Sequence, residues 1–165
     1  MMKNIPALLL VVLIAGCTKT PDSHKKNVEL ISSYVKAVEN LDYEAMSEYL
    51  AEDYLGIGPS VGDSINKAQA VENWKNYTAN LYESIKYDRS RTIAVTITEG
   101  EGKGEWVSNW AELTIRYKWQ PGSATIFANT LYLIENGKIK KSFTLYNEAD
   151  ALRQLGFVIV NREQL

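Results

Sequence analysis

Residues 124–146 read ATIFANTLYLIENGKIKKSFTLY. Two runs rich in β-branched and aromatic residues, 124–134 and 138–146, flank Asn136-Gly137. That dipeptide suits a two-residue turn in which both central residues take positive φ, so the stretch predicts an antiparallel hairpin. Just upstream, Gln120-Pro121-Gly122-Ser123 has proline and glycine in the order of a second hairpin turn. It follows a long strand candidate at 105–119, EWVSNWAELTIRYKW. Before that, Glu99–Gly104 is a glycine-rich break, and residues 85–98, IKYDRSRTIAVTIT, alternate as a strand does. The second half of the chain therefore predicts a meander of long antiparallel strands.

The first half has the other period. Val28, Ile31, Tyr34, Val35, Val38 and Leu41 recur every three or four residues, one apolar stripe on a helix of roughly four turns. Asp42 can cap a short second helix carrying Met46, Tyr49 and Leu50. Residues 55–63, LGIGPSVGD, read as a loop. Ser64 or Asn66 starts a third helix through Ala68, Val71, Trp74, Tyr77 and Leu81. A short helix at 148–155 ends at Gly156. Helices first and strands afterwards give an α+β fold, and N-terminal helices packed on the concave face of a curved antiparallel sheet would enclose a cone with an apolar cavity.

The N-terminus has a different purpose. Lys3 precedes an apolar run, Ile5–Ile14, that is too short to span a bilayer, and Ala15-Gly16-Cys17 follows. Ile14-Ala15-Gly16-Cys17 resembles the lipobox of bacterial lipoproteins, in which the cysteine thiol is lipidated and the chain is cut before it. Residues 1–16 are then a signal peptide, Cys17 is the lipidation site, 17–26 is a polar tether and 27–165 is the domain. Cys17 is the single cysteine, so lipidation also removes the oddity of an unpaired thiol in an exported protein. The expected location is the bacterial cell envelope, with membrane contact through the lipid. Thr18 in place of an aspartate leaves an outer-membrane address open.

The formal net charge of −2 gives no basic stripe for nucleic acid. No Cys/His spacing fits a metal, and no cofactor is expected. Glu99–Gly104 lacks the Lys-Ser/Thr ending of a phosphate loop. The supply of four Trp and ten Tyr is the better lead, since an apolar cavity with a few polar groups is the usual form of a small-molecule site. The candidate pocket set is Tyr34, Trp74, Trp110, Tyr132, Ser142, Thr144, Tyr146 and Asn147.

Three stretches carry a family resemblance. The first helix leads into Asp42-Tyr43 and Leu50-Ala51-Glu52-Asp53-Tyr54. Gly62 leads into the third helix with Ala68 and Trp74. Asn136-Gly137-Lys138-Ile139 is followed by a strand and then Gln154-Leu155-Gly156-Phe157. In this order, across residues 27–157, the chain resembles the SnoaL-like branch of the nuclear transport factor 2-like superfamily. The resemblance implies an open pocket in a cone and a homodimer formed through the outer sheet face. Its members include cyclases, isomerases, epoxide hydrolases and dehydratases. It also implies two aspartates at positions that read Thr144 and Asn147 here, and a pocket histidine, whereas the single histidine is His24, in the tether. No catalytic residue is therefore assigned.

The expected function is a membrane-anchored pocket domain that binds a small apolar or aromatic molecule. One alternative is an acid–base enzyme of isomerase, cyclase or hydratase type, with Glu112 or Asp53 as base and Tyr146 as acid. Glu112 shares its strand phase with Trp106, Trp110 and Arg116, and the opposite phase, Val107, Ala111, Leu113 and Ile115, makes the better core face. The other alternative is an envelope interaction protein using Phe127, Leu131, Leu133, Phe143 and Leu145 on the outer sheet face.

Overall fold

A computed structural model describes residues 22–119, 121–158, 160, 161 and 163. The signal stretch, Cys17 and Gln120 lie outside the described residues. The element order is α1 (Asp22–Glu39), α2 (Tyr43–Glu48), β1 (Leu50–Ile57), β2 (Ser64–Asn66), α3 (Lys67–Asn80), β3 (Tyr82–Ile97), β4 (Gly104–Tyr117), β5 (Ser123–Glu135), β6 (Lys138–Tyr146) and α4 (Glu148–Gln154).

The β5–β6 hairpin forms as its turn dipeptide dictates. Asn136 has φ 50° and Gly137 φ 70°, both positive as a type I′ turn requires. From there β5 pairs back onto β4 without a break, Glu105 against Ile134 through Arg116 against Ser123. β4 pairs with β3, interrupted between Asp88 and Arg91, where Arg89 takes φ 51°. A bulge of this kind bends the strand and adds twist, which curves the sheet. Glu39, at the end of α1, accepts a hydrogen bond from the Tyr87 backbone N–H at 2.8 Å and ties the helix to that bend.

The strand order is β2-β1-β6-β5-β4-β3. The pairs are antiparallel except β1–β6, which is parallel. The expected curved sheet is thus mixed and not antiparallel throughout, because β1 falls on residues read as the end of the second helix and the start of the 55–63 loop, and β2 on residues read as the start of the third helix. Leu50–Ile57 (LAEDYLGI) buries Leu50, Tyr54 and Gly56, and Glu52, Asp53 and a register shift between Leu50 and Leu55 hide the alternation. Asn66 is the cap of α3: its side chain accepts from Gln69 N–H while the Gln69 side chain accepts from Asn66 N–H.

α1 begins at Asp22, inside the stretch read as a tether. His24 is part of it, and its side chain is only 16% exposed. The long β3–β4 hairpin reaches under this end of the helix. Thr96 Oγ1 donates to Glu105 at 2.6 Å, so the 2.8 Å contact with His24 Nε2 has the imidazole as donor.

Ile31, Val35 and Val38 of the α1 stripe are buried against the sheet. On β4 the inward phase is Val107, Asn109, Ala111, Leu113 and Ile115, and the residues alternating with them face out. One core cluster joins Ile31, Leu50, Val107 and Ile139. A second joins Val38, Met46, Ile115 and Leu155.

Candidate functional site: a tyrosine-lined cavity

Between helices and sheet lies a cavity of about 590 Å³. Each wall follows from an element's phase. α1 contributes Tyr34, β1 Tyr54, β3 Tyr87, β5 Thr130 and Tyr132, and β6 Ser142, Thr144 and Tyr146. α3 contributes Trp74, and the carboxylates among the lining residues are Asp63 and Glu148, both exposed.

The inner part is a cluster of phenols. The Tyr34 and Tyr132 rings meet edge to face with centroids 5.8 Å apart. Burial holds both phenols well above the ordinary tyrosine value. Neighbouring phenols, Tyr132 and Tyr54 for Tyr34 and Tyr87 for Tyr132, push the same way. Tyr87 is pushed up to about 12, by burial first and by Glu39 second. All of them stay neutral hydrogen-bond donors at physiological pH. Tyr54 Oη lies 2.6 Å from Ser142 Oγ, and Thr130 Oγ1 3.2 Å from Thr144 Oγ1. Asn109, 3% exposed, spends its amide hydrogens on Ser90 and Thr92, each at 2.8 Å, and lines the cavity from β4.

Of the expected pocket set, Tyr34, Trp74, Tyr132, Ser142, Thr144 and Tyr146 line this one cavity. Trp110 and Asn147 do not. Trp110 sits in the outward phase of β4, and with Phe127 and Leu145 it lines an open groove on the other side of the sheet. Asn147 is the cap of α4, its side chain accepting from Asp150 N–H at 3.1 Å. The two carboxylates offered as bases are also outside. Glu112 pairs with Arg89, and Asp53 with Lys140, whose hydrogen bond is the main cause holding the Asp53 carboxyl below its ordinary value. Tyr54, Tyr87 and Asn109 were not anticipated as lining residues. Asn109 had a readable signal: it is the one polar residue in the Val107–Ile115 core phase.

The outer groove lined by Trp110 belongs to a wider apolar face. Ile93 is 53% exposed, Phe127 76% and Leu145 45%, and Leu131 pairs with Phe143 between them.

A SnoaL-like domain matches residues 28–137. No curated protein matches the chain. Among solved structures, a provisionally assigned polyketide cyclase from Pseudomonas putida aligns with TM-score 0.62 and 18% identity, over 78% of this chain and 96% of that one. A hypothetical protein with a ketosteroid isomerase-like fold from Catenulispora acidiphila, solved with trimethylamine, aligns at 0.59 and 18%, over 79% and 94%. An LEH-like epoxide hydrolase from M. tuberculosis aligns at 0.62 and 11%, over 83% and 89%. These identities speak for the fold, a curved and unclosed sheet with helices on its inner side. The domain match runs from α1 to the β5–β6 turn, and the chain belongs to the SnoaL-like domain family.

Proposed function

We propose that this SnoaL-like domain is a binding module that holds a small apolar or aromatic molecule in its cavity, anchored to the cell envelope by lipid on Cys17. The observation that carries the reading is the cavity's chemistry: aromatic walls, neutral phenol and hydroxyl groups inside, and carboxylates only at the mouth. A base for proton abstraction wants a pKa near the working pH. Phenols lifted further from neutrality stay protonated, able to donate hydrogen bonds to a ligand but not to act as bases, which favours holding a ligand over turning it over.

Nile red, a neutral fluorescent probe, tests this. One equivalent is expected to bind with a blue-shifted emission. Thr144→Trp, which projects an indole into the cavity, is expected to weaken binding by about ten-fold or more. Native mass spectrometry of the protein purified without added ligand would name a chemical class for any molecule carried along. A dye that does not bind, or binds equally to Thr144→Trp, sinks the proposal.

Anchoring has its own test. No helix among the described residues is long and apolar enough to cross a membrane. Several acyl chains, each buried CH₂ contributing about 0.8 kcal/mol, would hold the domain at a bilayer. Cys17→Ser is expected to move the protein from the membrane pellet to the soluble fraction. Unchanged partition would remove the lipid from the account.

A second reading is favoured by the outer face, on which Ile93, Phe127 and Leu145 are exposed beside Trp110 and Leu131. We infer that these exposed apolar side chains form a self-association surface, which a second copy meets with the same residues. Sedimentation velocity is expected to give a dimer that Phe127→Lys converts to monomer. A monomer for both proteins would exclude it.

A further inference from the structure

We infer that the mouth of the cavity is a subsite for an organic cation, a substituted ammonium group carried by the bound molecule. This deepens the binding reading and rests on it. The mouth is lined by aromatic rings. Trp74 meets Tyr82 with centroids 6.2 Å apart, Tyr82 meets Tyr117 at 5.8 Å, and Tyr146 lines the same opening. Aromatic faces attract a cation through the ring quadrupole, and alkylated ammonium groups are the ligands that aromatic boxes take. Rings alone would accept a neutral apolar group equally well, so the charges decide.

Those charges have one sign. Asp63 and Glu148 line the mouth, and no Lys, Arg or His is among the lining residues. On the strands, carboxylates are matched to cations: Glu52 to Lys67, Asp53 to Lys140, Glu83 to Arg116 and Glu112 to Arg89; Asp63 lies in the β1–β2 turn and Glu148 opens α4. Asp63 and Glu148 have no cationic partner among the described residues. Their field reaches the rings: after burial, Glu148 is the next cause raising the Tyr117 and Tyr146 phenols, and Asp63 adds to the rise at Tyr146. An arrangement of this kind repels an anionic head group and leaves a neutral one without gain. It favours a cation that is too alkylated to need water's hydrogen bonds. Deeper in, the phenols of Tyr34 and Tyr132 supply donors to the uncharged remainder of the ligand.

Choline and its uncharged carbon isostere 3,3-dimethylbutan-1-ol separate charge from shape. Both are titrated into the full chain at low ionic strength, followed by intrinsic tryptophan fluorescence. Choline is expected to bind about ten-fold tighter or better, with the preference shrinking as salt is added. The double variant Asp63→Asn, Glu148→Gln is expected to bring the two affinities within about three-fold, while Glu112→Gln on the outer face leaves the preference intact. Both mouth residues are exposed, so the double variant is expected to keep its melting temperature. Equal binding of the two probes, or a preference that survives in the double variant, overturns the inference. If neither probe binds while Nile red does, the cation subsite falls and the binding module stands. If Nile red also fails, both fall.

Discussion

Ile139→Ala is expected to lower unfolding stability by about 4 kcal/mol, within the usual range of 2–5 kcal/mol for truncating a buried aliphatic side chain. Ile139 is 0% exposed and lies opposite Leu50 where β6 meets β1. Its backbone N–H donates to Tyr49 O at 2.8 Å, so the backbone is pinned at the position where the side chain is removed, and the surroundings have little freedom to collapse. A domain of this size has a total stability of roughly 5–15 kcal/mol, so the loss is a large share. The expected drop in melting temperature is on the order of 10 °C. Phe127→Ala, at 76% exposure, is the matched control, with an expected change within about 0.5 kcal/mol in the monomer. Urea unfolding followed by circular dichroism checks both. Equal effects at the two positions would mean that the core has been misplaced.

The second large effect is alkaline. Tyr34, Tyr87 and Tyr132 have folded values above the ordinary one, Tyr87 at about 12 and the others well raised, with burial as the first cause in each. Above the unfolded value near 10, the unfolded chain gives up these protons while the folded chain keeps them. Stability is then fully present below pH 10 and falls as pH rises toward the folded values. Each retained proton contributes about 1.4 kcal/mol per pH unit, so three together give a slope of roughly 4 kcal/mol per pH unit. The fold is expected to be lost cooperatively at about pH 11–12. Tyrosine absorbance at 295 nm, read against far-ultraviolet circular dichroism, should show exposed tyrosines ionising first and the rest only with unfolding. Smooth ionisation of all tyrosines near pH 10 with the sheet intact would show that the cavity phenols are wet.

What the sequence disclosed follows the strength of each local signal. Asn136-Gly137 and the α1 stripe are local and unambiguous, so the β5–β6 hairpin and the buried face of α1 were legible. β1 was not: a strand with Glu52 and Asp53 in its middle is stabilised by its parallel partner β6, and that contact is not local. The N-terminal start of α1 was missed for the same reason. Asp22–Lys26 has no apolar period, and only the hairpin beneath it, through Thr96 and Glu105, rewards the helical form. At the site, α1 and β6 phases placed Tyr34, Ser142 and Thr144 together. Trp110 was misplaced although its own strand gave the answer, since it alternates with the core residues Val107, Ala111 and Ile115. Tyr54 was unreadable until β1 existed.

The β1–β6 pairing also sets when the cavity can come into being. β3 to β6 can zip up as successive hairpins, each closing a short loop soon after its residues appear. β1 must wait, because Leu50 meets Ile139 only after the whole meander is in place, a non-local contact that is slow to form. A chain stopped before Lys138 would lack Ser142 and Thr144 and would leave the Tyr54 hydroxyl without its Ser142 partner. The ligand chamber is therefore a late product of folding. A nascent chain can carry most of its strands and still have no place to hold a guest.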